Sequence, residues 1–168
     1  MKKTNLSQHY NSPALKNKNV KIGIVVSDWN ETITGALKEG ALAFLSEAGI
    51  AKNQIVVHSV PGSFELPSSA AILLDADDTL DAVICLGCVI QGETRHFEFI
   101  SNAVANGIMR VALDYGVPVV FGVLTCDTLE QAQARAGGEH GNKGVEAAYT
   151  CLKMLELQHK NAFGASTK

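Results

Sequence analysis

The sequence predicts an α/β domain built on a parallel sheet that is covered on both faces. Strand-like and helix-like segments alternate four times along the chain. The strand-like segments are apolar throughout, as strands buried on both faces are. The helix-like segments carry their apolar residues at helical spacing. A chain of 168 residues, 46% hydrophobic and 18% charged, suits one domain with a substantial core.

Residues 1–19 are polar, rich in Asn and Lys, and without periodicity, so they read as a flexible arm that orders against a partner. Residues 21–26 form a buried-type strand, and Ser27-Asp28-Trp29-Asn30 a loop. The spacing of Ile33, Leu37, Ala41, Phe44 and Leu45 predicts a helix over 31–48, with Gly49 past its end. A second strand covers 54–60, and Pro61-Gly62-Ser63 turns the chain. A helix follows from 64 to about 75, with Pro67 in its first turn. The third strand is 81–90. Phe97, Ile100, Val104, Ile108, Val111 and Tyr115 form the stripe of a helix over 94–115, closed by Gly116 and Pro118. The fourth strand is 119–125. Thr128-Leu129-Glu130-Gln131 reads as a capping box opening a short helix. Gly137, Gly138 and Gly141 interrupt it, and helix resumes from 142 to about 158. The organisation expected is an arm (1–19), one domain (20–158) and a tail (159–168).

A parallel sheet of this kind binds ligands beyond the carboxyl ends of its strands. The loops there begin at Ser27, Pro61, Gln91 and Cys126. Trp29, Asn30, Ser63, Glu65, Glu93, Thr94 and His96 therefore gather at one edge. The run from Gly87 to His96 is the most informative. A strand enters a glycine turn and then a helix start, which leaves backbone N–H groups free for an anion. Histidine is the side chain that changes charge near neutral pH. A phosphate cradle beside His96 points to an enzyme for a phosphorylated small molecule.

Other classes are disfavoured. The net charge of −3 and the lack of a basic run give no field for nucleic acid. No segment approaches the roughly 20 apolar residues of a membrane helix. Lys2 and Lys3 are not followed by an apolar stretch, so no signal peptide is expected and the location expected is the cytoplasm. Cys85, Cys88, Cys126 and Cys151 are too few and scattered for a disulfide framework. Cys85 and Cys88 stand three apart on a strand and point to opposite faces, which opposes a shared metal.

Each candidate residue also has a structural reading. Trp29, the only tryptophan, either plugs the following helix or stacks on a planar heterocycle. Glu65 is either a carboxylate favoured by a helix start or an acceptor for ligand hydroxyls. His96 is either solvated or a proton donor beside phosphate. Arg135 and Lys143 flank a glycine-rich break, where they are either solvated or reach a site in their own or a neighbouring subunit.

Together these segments resemble the 6,7-dimethyl-8-ribityllumazine synthase family. The matching stretches are Trp29-Asn30, residues 61–67, 87–99 and 121–125, and 131–148 with Arg135-Ala136-Gly137 and Gly141-Asn142-Lys143-Gly144. They run in order from about residue 20 to 155. The resemblance implies a flavodoxin-like three-layer α/β/α fold with a four-stranded parallel sheet. It implies condensation of 5-amino-6-(D-ribitylamino)uracil with 3,4-dihydroxy-2-butanone 4-phosphate, the penultimate step of riboflavin biosynthesis, without cofactor or metal. Trp29 and Asn30, Ser63, Phe64 and Glu65, Cys88, Val89 and Ile90, and Phe121 and Lys143 map to the aminouracil. Glu93, Thr94 and Arg135 map to the phosphate, and His96 to the proton donor. Phe121 and Arg135 correspond to residues that a neighbouring subunit contributes. Family members form pentamers, and some form sixty-subunit shells; riboflavin synthase is a candidate partner, and the arm adds a strand to a neighbour's sheet. The short spacing at Gly138-Glu139-His140 favours the shell. Gln91 stands where arginine is common, Glu139 where lysine is, and Cys88 where a small or hydroxyl residue is. A binding or shell protein that has lost catalysis would not need Trp29, Glu65, His96 and Arg135 together. The lone Asp28 disfavours a response regulator.

Overall fold

The computed structural model describes residues 19–164, so nearly all of the expected arm and the last four residues lie outside the described residues. The elements are β1 (Ile22–Ser27), α1 (Glu31–Glu47), β2 (Ile55–Val60), α2 (Leu66–Ala76), β3 (Ala82–Ile90), α3 (His96–Tyr115), β4 (Val119–Cys126), α4 (Leu129–Arg135), β5 (Ala136–Gly138), β6 (Gly141–Asn142) and α5 (Lys143–Gly164). Four strands form one parallel sheet in the order β2-β1-β3-β4. The helices lie in two layers, which gives the three-layer flavodoxin-like arrangement.

The two core faces follow from the two-residue period of the strands. Ile22, Ile24, Ile84 and Leu86 face α1 and α5, where they meet Ile33, Leu37, Leu45, Leu152 and Leu155. Val25, Val83 and Cys85 face α2 and α3, where they meet Leu66, Ala70, Val104 and Ile108. Each fully buried aliphatic side chain contributes roughly 1.5–3 kcal/mol. Cys85 and Cys88 fall in opposite faces, as their spacing requires.

The outer strands depart from the expectation of complete cover. Val57, His58 and Ser59 of β2 are exposed because that strand ends the sheet. Other differences are local. α3 starts two residues later than expected, and α5 runs to Gly164 rather than 158. Thr128 Oγ1 accepts from the Gln131 N–H at 3.3 Å, but the Gln131 side chain accepts from Asp127 rather than from Thr128. The glycine-rich stretch after α4 is an antiparallel hairpin, not a plain joint between helices.

Asn142 binds the hairpin and α5 to α1. Its Nδ2 donates to the Ala36 carbonyl at 2.9 Å, and its Oδ1 accepts from the Gly144 N–H at 2.8 Å. The approach is so close that a Cβ on Gly144 would lie 1.8 Å from the Leu37 carbonyl oxygen, so only glycine fits.

At the opposite end of the sheet, Lys21 Nζ donates to Asp77 at 2.5 Å, and Thr79 Oγ1 donates to the same carboxylate. The Lys21 bond first, and then that from Thr79, lower the Asp77 carboxyl from 3.8 to about 2. A carboxyl lowered in the folded state stabilises fully above its unfolded value and loses that contribution as pH falls through its folded value. Asp77→Asn is therefore expected to lower the denaturation midpoint at pH 7. The gap from the parent should close as pH falls from 3.8 to about 2. A gap independent of pH would show that the carboxylate charge contributes nothing.

Candidate active site

A cavity of about 550 Å³ opens at the carboxyl ends of the strands. Its walls come from three loops. Trp29 and Asn30 follow β1; Gly62, Ser63, Phe64 and Glu65 follow β2; Cys88, Val89 and Ile90 end β3, with His96 and Ile100 beyond them on α3. The sequence expectation for this side of the site thus converges in space. Gly62 and Ile100 join the expected residues at the cavity. Ile100 lies one helical turn from His96, so the α3 stripe contained the signal.

The Cys88 carbonyl organises the wall. It accepts from Asn30 Nδ2 at 3.2 Å and from Ser63 Oγ at 3.4 Å. Asn30 is the only non-glycine with positive φ (62°) among the described residues. Asparagine tolerates that left-handed region better than most residues. Ser63 is buried against Gly87, where a Cβ would come within 2.6 Å of its Oγ.

Trp29 is 70% exposed, and its ring edge lies beside Gly62. The indole is therefore not a plug, and its free surface borders the cavity. Phe64, 55% exposed, stands in the next loop. Glu65 Oε2 accepts from the Gly62 N–H at 3.0 Å, closing the 3-10 turn Ser63–Glu65. Its carboxylate thus shapes the loop as well as bordering the cavity.

Gln91 to Arg95 connect β3 to α3 and are exposed. Thr94 Oγ1 accepts from the His96 N–H at 3.3 Å. Among the described residues, the N–H groups of Gly92, Glu93, Thr94 and Arg95 have no acceptor. Free donors therefore lie in the loop that leads directly into α3 at His96.

The Cys88 side chain belongs to the buried core face packed by α1 and α5. Burial, with a smaller effect of Cys126, pushes Cys88 up to about 12. Burial does the same to Cys85 and Cys151. Among the described residues no group of three His, Cys, Asp or Glu side chains could hold a metal ion.

Glu93 and Thr94 lie on the exposed loop and do not border the cavity, and three further expected residues stand elsewhere in the fold. Phe121 pairs with Cys85, three residues before Cys88 where the cavity begins, which is about 10 Å along the strand. Phe121 and Lys143 border a second, apolar cavity of about 690 Å³ between α3 and α5. Lys143 Nζ is paired there with Glu146 at 2.5 Å. Arg135 ends α4, and its Nη1 donates to the Gln131 carbonyl at 2.9 Å. It lies near enough to Cys126 to oppose, in part, the burial that raises that thiol. None of the three borders the cavity at Trp29.

The parallel sheet with helices on both faces defines a flavodoxin-like α/β protein, with a cavity at the carboxyl edge of its sheet. Comparison with known proteins narrows that class. The family model of 6,7-dimethyl-8-ribityllumazine synthase matches residues 19–159. The synthase of Cytophaga hutchinsonii is 61% identical over 133 residues, covering 79% of this chain and 83% of that protein. That of Porphyromonas gingivalis is 47% identical over 154 residues, covering 92% and 95%. That of Thermus thermophilus is 47% identical over 146 residues, covering 87% and 92%. The chain belongs to the 6,7-dimethyl-8-ribityllumazine synthase family.

The single exposed tryptophan gives a direct test of the aromatic wall. Stacking of a pyrimidine on Trp29 should quench the indole emission on titration with 5-amino-6-(D-ribitylamino)uracil. Emission unchanged at saturating pyrimidine would rule the stack out.

Proposed function

We propose that the chain condenses 5-amino-6-(D-ribitylamino)uracil with 3,4-dihydroxy-2-butanone 4-phosphate to 6,7-dimethyl-8-ribityllumazine, in the riboflavin pathway. Membership of the family carries this reading. The cavity bordered by Trp29 and His96 supports it. As group transfer with loss of phosphate, the reaction is that of a transferase. An amine of the pyrimidine forms a C–N bond to the ketone and water leaves. Phosphate is then eliminated, and the second amine closes the ring with loss of another water.

Each step moves protons, and the leaving phosphate requires N–H or cationic partners. The aminouracil lies against Trp29, Asn30, Phe64 and Glu65, with Ser63, Cys88, Val89 and Ile90 forming the wall and the ribityl chain in the second loop. The phosphate meets the loop of Glu93 and Thr94. His96 hands a proton to the leaving oxygen and takes one back. Holding two substrates in register supplies much of the acceleration.

Phe121, Lys143 and Arg135 complete the site from an adjoining subunit in a pentamer. The distance of Phe121 from its own chain's cavity favours that division. So does the exposed apolar surface at Met109, Leu113, Phe121 and Met154. The two-residue turn at Glu139-His140 favours assembly of pentamers into a sixty-subunit shell, with riboflavin synthase as a partner. The exposed edge at β2 suits strand addition by the residue 1–19 arm of a neighbour. No described helix is long and apolar enough to cross a membrane, which is consistent with action in the cytoplasm.

The decisive experiment mixes the purified protein with both substrates and follows lumazine absorbance. Absence of a rise above the uncatalysed rate would overturn the reaction. His96→Ala should lower turnover by roughly 10-fold to a few hundred-fold and change the shape of the pH–rate profile. An unaltered profile would remove His96 from proton transfer.

The shared site makes a separate prediction. Trp29→Ala and Phe121→Ala subunits, each impaired alone, should regain activity when refolded together. Random mixing leaves about a quarter of the interfaces with both halves intact. No recovery, in particles whose scattering mass shows mixed assembly, would place the whole site within one chain.

A further inference from the structure

We infer that Gln91 is a positioning residue for the phosphate: its side-chain amide gathers two carbonyls of the 91–95 loop and thereby turns the loop's N–H groups towards the ligand. This rests on the proposed role of that loop at the phosphate. The root of the residue is fixed, because the Gln91 N–H donates to the Cys126 carbonyl at 2.8 Å at the end of β4. From there Nε2 donates to the Gly92 carbonyl at 2.7 Å and to the Thr94 carbonyl at 3.3 Å. A primary amide has two N–H donors, one for each acceptor.

Peptide geometry supplies the consequence. In a planar trans peptide the carbonyl and the following N–H point in opposite directions. The Gly92 carbonyl shares its peptide with the Glu93 N–H, and the Thr94 carbonyl shares its peptide with the Arg95 N–H. Drawing both carbonyls to the Gln91 amide therefore directs both N–H groups away from it. Those N–H groups have no acceptor among the described residues. The loop also faces open space: a Cβ on Gly92 would meet nothing within 4 Å. Where the relatives' common arginine suggests only a missing charge, the Gln91 hydrogen bonds indicate a role in loop geometry.

The two roles separate by substitution. Gln91→Met keeps length and neutrality but removes the donors. Gln91→Arg supplies donors again, on a guanidinium. The readouts are KM for each substrate, competitive inhibition by inorganic phosphate, and the rise in melting temperature that inorganic phosphate alone produces. In Gln91→Met the KM for the phosphorylated ketone and the phosphate inhibition constant should rise about fivefold, the loss of one net hydrogen bond. The pyrimidine KM and the ligand-free melting temperature should stay unchanged. Gln91→Arg should restore or tighten phosphate binding. Unchanged phosphate binding in Gln91→Met, or an equal rise in both KM values, would overturn the role. If the parent protein fails to turn over the two substrates, the proposed reaction falls. The role of Gln91 is then decided by whether the phosphate-induced melting shift of the parent is lost in Gln91→Met.

Discussion

The Cys88 carbonyl, at the end of the central strand, is the point on which the site depends. A sheet runs out of partners at its carboxyl edge, and a buried carbonyl left unpaired there costs about 1–3 kcal/mol. Asn30 and Ser63 meet that need from two different loops. Several otherwise unrelated features follow. Asn30 takes a left-handed backbone so that its amide turns inward while Trp29 stays outside. Ser63 is buried, and residue 87 is glycine because Ser63 occupies the space of a Cβ. The aromatic wall is thus held by the sheet rather than by its own packing.

The chemistry that such a wall supports is positional. The Cys88 thiol turns into the core face packed by α1 and α5, and burial pushes it up. Glu65 is partly engaged in closing its own turn. What remains available is an imidazole and a loop of backbone donors, groups that hold an anion and move protons. This suits a condensation between an amine and a ketone that carries its own leaving group. The substrates bring the reactive atoms, and the protein brings orientation and proton traffic.

Much of this was legible in the sequence because it is written in local pattern. Apolar runs marked the four strands, and the helical stripes marked α1 and α3. Fixing the strands also fixes which loops meet, and this alone brings Trp29, Ser63 and His96 to one edge. Three things were not legible. The tether from Asn30 to Cys88 spans 58 positions and uses a backbone carbonyl, which leaves no mark in residue type. The hairpin after Arg135 looked like a break, because glycines at a helix end and glycines in a tight hairpin read alike. Gln91 looked like a lost charge, since its hydrogen bonds depend on a loop conformation that no periodicity encodes. Phe121 marks a different limit. Its position on β4 follows from the pattern, but the role proposed for it depends on an adjoining subunit, which leaves no mark in one chain's periodicity.

That division gives the α1–α5 lock a role beyond stability. Trp29 and Asn30 stand at the start of α1, where they border their own chain's cavity. Lys143 stands at the start of α5, facing the second cavity. Asn142 joins the two helices through the Ala36 carbonyl, and Gly144 lets their backbones touch at Leu37. In the proposed assembly, each subunit offers a wall to one site and Phe121 and Lys143 to the next. Both the Trp29 wall and Lys143 then stand at the starts of one rigid pair of parallel helices, in which Ala36 and Leu37 meet Asn142 and Gly144 and Phe44 meets Tyr149. Displacing α5 would move Lys143 in one site and strain the Trp29 loop in another. Close packing transmits such displacements because a core with no spare volume cannot absorb them. Within that proposed assembly, a side chain at 144 would part the two helices and disturb both sites together, since its Cβ would meet the Leu37 carbonyl.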